Sequence, residues 1–199
     1  MDARLAVRAR AGLATMTAVT ALLYAIQCVN MATFGLLTRW FGIRPRDVSS
    51  LPDIVTSPLV HDPTSWGHLA ANTLPLFVFG FLAFLSGIRQ FLTAVGLSWL
   101  ASGTGVWMFG GNLFGAPSIT VGASGVIFGL FGFLLVRGFF NRSWWQILLA
   151  LVLFAAYGSV LLGILPTVRS GISWQAHLFG LAGGVAAAVV LRPRGRVAF

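Results

Sequence analysis

Ser124, His177, His68 and Asn72 are the residues of this 199-residue chain whose types and spacing could do chemistry. A serine hydroxyl is a poor nucleophile until a base takes its proton, and an imidazole, with an ordinary pKa of about 6.5, is the usual base. Attack on an acyl carbon then creates a tetrahedral oxyanion that needs hydrogen-bond donors. Asn72 offers an amide N–H, His68 an imidazole N–H, and Ser124 its own backbone N–H at the start of a helix, where positive partial charge collects. Nucleophile, base and anion hole together describe acyl transfer. His68 and Asn72 stand four residues apart and so share one helix face. Ser124 sits in the run Gly122-Ala123-Ser124-Gly125, and Phe128, one turn further on, can hold an imidazole by stacking.

Other chemistries are excluded by what is missing. There is no Glu, and the four acids are Asp2, Asp47, Asp53 and Asp62, all outside the apolar runs that carry the candidate set. A Ser-His-Asp triad inside those runs is impossible, so a hydrolase here runs on a dyad, with His177 oriented by packing. No His-Glu-x-x-His pattern and no acidic pair exists for metal or aspartyl chemistry, and no metal or cofactor is expected. The single cysteine, Cys28, allows neither an intrachain disulfide nor a cysteine metal cluster, and reads as a small apolar residue of a helix.

The elements that position these residues follow from composition. Hydrophobic residues make up 57% of the chain and charged residues 9%, against about 25% charged in a typical soluble domain. The chain cannot coat itself for water. It reads as an all-α, polytopic membrane bundle of six transmembrane helices embedded in a lipid bilayer. The apolar runs are 12–37, 66–86, 90–109, 120–139, 144–165 and 173–191. They divide the chain into an N-terminal arm (1–11), a membrane domain (12–191) and a basic tail (192–199). The loop 40–65 mixes Pro45, Pro52 and Pro58 with Trp40, Phe41, Ile54 and Val55 and is expected to lie partly in the interface.

The net charge of +9 comes from 13 arginines scattered between the runs, not gathered in one stripe, so no nucleic-acid partner is expected. With six spans, nine arginines (4, 8, 10, 89, 137, 142, 192, 194 and 196) share the side of the termini. Four (39, 44, 46 and 169) lie on the other. The excess predicts both termini in the cytoplasm. Arginine without lysine, with many Ala, Gly and Val, points to a GC-rich bacterial genome, so the membrane is expected to be a bacterial inner membrane.

Spans two, four and six run in the same direction and place His68, Asn72, Ser124 and His177 at one depth, roughly 3–10 Å below the outer surface at about 1.5 Å per residue. Gly125 and Gly129 form a small-residue pair after Ser124; His177, Gly180 and Gly184 share a face. Two glycine faces let helices approach closely and bring Ser124 within reach of His177. Gln27, Asn30 and Gln175 are read as structural cross-helix bonders, and His61 is assigned no role.

The chain resembles the rhomboid family of intramembrane serine proteases. The resemblance rests on Gly-x-Ser-Gly at 122–125, His-x-x-Gly-x-x-x-Gly at 177–184 and His-x-x-x-Asn at 68–72, and covers roughly residues 12–191. It implies Ser124 as nucleophile, His177 as base, and His68 and Asn72 as oxyanion donors, with Gly122, Gly125, Phe128, Gly180 and Gly184 in support. It also implies a first outer loop partly embedded in the membrane, and membrane-protein substrates that enter laterally near spans two and five. There are two departures. The Trp-Arg pair that many members carry in the first outer loop is absent, and Phe128 stands where many have Tyr. The rival readings are a non-catalytic binder of membrane helices on the same scaffold and, behind it, a small transporter. The transporter has little support, since proton-coupled carriers usually need a membrane carboxylate.

Overall fold

Apolar runs of this length have no water to satisfy their backbone, so they close their hydrogen bonds within helices. The computed structural model describes residues 3–111, 118–167 and 171–193. Asp2, Arg169, Arg194 and Arg196, most of the 110–119 loop and the end of the basic tail lie outside the described residues. The chain forms an all-α bundle: α1 (Ala3–Ala32), α2 (Leu36–Phe41), α3 (Asp53–Thr56), α4 (Gly67–Leu85), α5 (Ile88–Phe109), α6 (Ser124–Phe140), α7 (Trp144–Tyr157) and α8 (Trp174–Val190). A 3-10 segment, Gly158–Ile164, continues α7. α1, α4, α5 and α7 with its extension are long and apolar enough to cross a membrane; α6 and α8 are shorter apolar helices. At 17 residues each these two are about 25 Å long.

α6 is the axis of the bundle. Phe131 and Leu134 are fully buried, and Phe131 stacks on Phe79 of α4 at 4.9 Å. Between α6 and α8 the glycines do what their spacing implied. A methyl group at Gly180 would collide with the Gly125 backbone, and one at Gly184 with the Gly129 carbonyl. α5 seals the other side of this contact, with Ser98 and Ser102 filling the space against Gly129 and Gly125. α1 lies against α4, where Met16 occupies the space a side chain at Gly80 would need. Cys28 is exposed on the outer face of α1.

Three boundaries differ from the sequence reading. α1 already begins at Ala3 and ends at Ala32, not Leu37. Phe34 and Gly35 turn with positive φ, and the Gly35 N–H bonds back to the Asn30 carbonyl, which closes the helix. The fifth run stops being α-helical at Tyr157 and tightens into the 3-10 form. The fourth helix starts at Ser124, because Thr120 is held in a bridge to the first loop and the chain turns at Gly122 and Ala123 before the helix begins. Thr120 pairs with Ile43 through two backbone bonds of 3.0 and 2.9 Å, and Gly122 adopts a φ of 121°.

The loop from 40 to 65 is a chain of short turns tied down at both ends. Asp47 caps the 3-10 turn Val48–Ser50, accepting the Ser49 N–H at 2.9 Å, and pairs with Arg44 at 2.9 Å. Hydrogen bonds from Ser49 and Arg44 hold its carboxyl at about 2. Trp107 of α5 donates to the Asp47 carbonyl and Trp99 to that of Ile54. Trp40, Val48 and Val55 remain exposed, as suits a loop lying along a membrane interface.

Candidate active site

Ser124 is the first residue of α6, so its backbone N–H has no partner one turn back and is one of the free donors of the helix start. The sequence reading began this span at residue 120, four residues earlier. α8 begins at Trp174, with Ser173 capping it through the Ala176 N–H at 3.2 Å, and carries His177 in its first turn. The glycine contact between α6 and α8 draws the two together. The Ser124 Oγ lies 2.9 Å from His177 Nε2.

The other ring nitrogen decides which of them holds the proton. His177 Nδ1 is 3.0 Å from the Gly163 carbonyl oxygen. A carbonyl can only accept, so Nδ1 carries the hydrogen in the neutral ring. Nε2 is then left with its lone pair facing the serine, and the hydroxyl donates to it. Phe128 stacks on the same imidazole, with centroids 4.0 Å apart and planes within 7°. A backbone carbonyl and an aromatic face thus orient the ring, with no carboxylate against it among the described residues. Gly163 fits only as glycine: a methyl group there would stand 2.9 Å from His177 Nδ1 and 3.0 Å from Phe128 Cζ.

On the opposite flank α4 supplies His68 and Asn72. Both face Gly122, two residues before Ser124. A methyl group at Gly122 would lie 2.7 Å from His68 Cε1, 2.9 Å from its Nε2 and 3.8 Å from Asn72 Nδ2. Asn72 is buried, and its Nδ2 has no acceptor among the described residues. An amide N–H turned inward with nothing to bond is costly unless an anion comes to it. The structure therefore gathers Ser124, His177, Phe128, Gly122, His68 and Asn72 at one end of the bundle. Gly125, Gly180 and Gly184 serve the helix contact that holds them there.

Gln27 and Asn30, fully buried on α1, bond outward from their helix, but to the first loop. Gln27 donates to the Asp62 carbonyl at 2.6 Å, and Asn30 to the His61 carbonyl at 2.9 Å. Gln175 donates to the Phe109 carbonyl at 3.0 Å.

Sequence reasoning missed two contributors. One is the Gly163 carbonyl, which has no side-chain signature. The other is His61, which is 1% exposed. Its ring meets His68 edge-on at 5.1 Å, and its Nε2 accepts the Ala123 N–H over a long 3.4 Å. Burial, and secondarily the neighbouring His68, push its pKa down to about 4, against a weaker opposing pull from the Leu59 carbonyl, which lies outside bonding geometry with Nδ1. His61 is neutral, and with the Gly122 N–H bond to the Ser57 carbonyl (3.0 Å) it ties the first loop to the segment entering Ser124. The available signal was that it is one of only three histidines.

A family model described as the Rhomboid domain matches residues 48–194. An uncharacterized protein of Mycobacterium tuberculosis is 41% identical over 181 residues, covering 89% of this chain and 74% of the relative. An uncharacterized protein of Mycobacterium leprae is also 41% identical over 181 residues, covering 89% of this chain and 70% of the relative. A Bacillus subtilis protein provisionally named as the rhomboid protease YdcA is 29% identical over 137 residues, 66% of this chain and 62% of its own length.

Proposed function

The chain belongs to the rhomboid family, and from that premise we propose that it is an intramembrane serine endopeptidase, cleaving transmembrane segments of membrane proteins through a Ser124–His177 dyad. The observation that carries this reading is the pair of bonds on one imidazole: Nε2 to the Ser124 hydroxyl and Nδ1 to the Gly163 carbonyl. Together they leave the base in the tautomer that can take the serine's proton.

The steps follow from that geometry. Ser124 Oγ attacks the scissile carbonyl carbon as its proton passes to His177 Nε2. The oxyanion is received by the Asn72 amide, the His68 ring and the Ser124 backbone N–H, each a fixed donor in a site of low dielectric. His177 then gives its proton to the leaving amine, and the C–N bond breaks to leave an acyl-serine. A water molecule, deprotonated by the same ring, attacks the acyl carbon, and Ser124 Oγ leaves with the proton. The imidazolium formed on the way keeps its Nδ1–H bond to Gly163 and its stacking on Phe128.

The protein is a multi-pass membrane protein, and its partners in this reading are membrane-protein substrates within the bilayer. The arginine excess on the side of the termini supports a cytoplasmic location for both, which puts the Ser124 level toward the outer face. The test is cleavage of a single-pass substrate in liposomes, together with labelling by a fluorophosphonate probe. Wild type should cleave and label, and Ser124→Ala and His177→Ala should do neither. Full cleavage by either variant overturns the dyad. Absence of both cleavage and labelling in wild type supports the non-catalytic helix binder instead.

A further inference from the structure

At the far end of α6 from Ser124, an arginine is buried with no counter-charge among the described residues. Arg137 is 7% exposed, and its Nε and Nη1 are enclosed with no hydrogen-bond partner among the described residues. Among the described residues the guanidinium stands over the Phe133 ring, 5.5 Å from its centroid. A cation–π contact offsets part of the desolvation of a guanidinium but leaves its N–H groups unbonded. A charge held this way is costly unless an anion meets it.

The chain has little with which to meet it. Asp47, Asp53 and Asp62 belong to the loop that is tied to the Ser124 end, and Asp2 lies outside the described residues. Arg137 stands 13 positions after Ser124 on α6, about 20 Å away at 1.5 Å per residue, in the last turn of the helix. Gly87, in the α4–α5 turn at the same end, lies against the guanidinium of Arg8. Arg89 and Arg142 also belong to this end. This end of the bundle therefore carries several cations and, among the described residues, no carboxylate.

We propose that Arg137 is the anchor of a binding site for one anionic phosphate, that of an acidic phospholipid headgroup. The depth fits: the last turn of a helix that crosses the bundle lies where the bilayer's phosphates are, and a guanidinium presents its N–H groups as a planar fork that phosphate oxygens match. The exposed arginines at the same end raise the local concentration of acidic lipid without fixing any one molecule. Arg137, held still by burial and by Phe133, supplies the fixed donors. The site is separate from the Ser124 centre and does not depend on the protease reading.

The experiment is thermal unfolding of the full chain by circular dichroism. It compares nanodiscs of phosphatidylcholine, nanodiscs containing 30% phosphatidylglycerol, and phosphatidylcholine nanodiscs with added inorganic phosphate. Wild type should melt several degrees higher with phosphatidylglycerol. R137M should lose that increment and, in phosphatidylcholine alone, melt at or above wild type, because an unmatched buried charge has been replaced by an apolar chain. R142Q, which removes an exposed arginine, should keep the increment. An unchanged increment in R137M, or none in wild type, overturns the proposal. An equal rise of wild type with inorganic phosphate overturns the lipid assignment in favour of a free anion. If R137M does not fold, native mass spectrometry of wild type and R137Q decides: R137Q should hold one fewer phosphatidylglycerol, and equal retention overturns the site.

Discussion

Protonating His61 should weaken this protein in a defined pH window. The ring is enclosed, edge-on to His68, and its Nε2 takes the Ala123 N–H, which a protonated ring cannot do. Its pKa of about 4 in the folded chain, against 6.5 for the free side chain, means that the unfolded state takes up the proton first. The stability tied to neutral His61 is therefore complete above pH 6.5, is lost progressively as pH falls, and is gone below about 4. At about 1.4 kcal/mol per pH unit the whole contribution is about 3 kcal/mol. The assay is thermal or denaturant unfolding in one detergent from pH 7.5 to 3.5, comparing wild type with His61→Gln. Glutamine offers an uncharged acceptor at a similar reach and does not titrate. Subtracting its curve removes what the other groups contribute. The difference should be flat above pH 6.5 and shift against wild type by about 3 kcal/mol by pH 4. Parallel curves through that window would falsify the placement of His61 as a buried neutral tie.

Other consequences concern single contacts. Gly163→Ala puts a methyl group 2.9 Å from His177 Nδ1, and displacing the ring should lower kcat on the order of 10²-fold with little change in melting temperature; steady-state cleavage measures it. Asn72→Ala removes an unbonded donor and should cost on the order of 10²–10³ in kcat, with KM nearly unchanged. A parallel loss in KM alone would reassign Asn72 to substrate binding. Gly184→Val drives a side chain into the Gly129 backbone and should destabilise the α6–α8 contact by about 3 kcal/mol or prevent folding, read by the melting temperature.

Much of the site is legible in the chain because its side chains are rare types in apolar surroundings. A serine, two imidazoles and an amide in runs without acids stand out, and the glycine spacing that follows Ser124 and His177 foretells the close helix contact that joins them. Gln27 and Asn30 were recognisable as cross-linking residues, but their partners were not, since most of those partners are main-chain groups, the carbonyls of Asp62 and His61 among them. The start of α6 was misplaced because the residues of 120–123 are as apolar as those of the helix. Its bonds to Ile43, Ser57 and His61 of the first loop keep that segment out of the helix.

What the sequence by itself determined is the solvent and which groups are on hand for chemistry. A chain this poor in charge must sit in lipid, and one without a carboxylate in its spans must run acyl transfer, if it runs it, on hydroxyl, imidazole and amide. What only the tertiary structure decided is how His177 is held. The Gly163 carbonyl sets the tautomer of His177, Phe128 fixes its plane, and His61 ties down the backbone that presents Ser124. These depend on where a 3-10 segment ends and a loop folds back. Every residue except proline carries the same backbone N–H and carbonyl, so no residue type marks in advance the one that convergence will use.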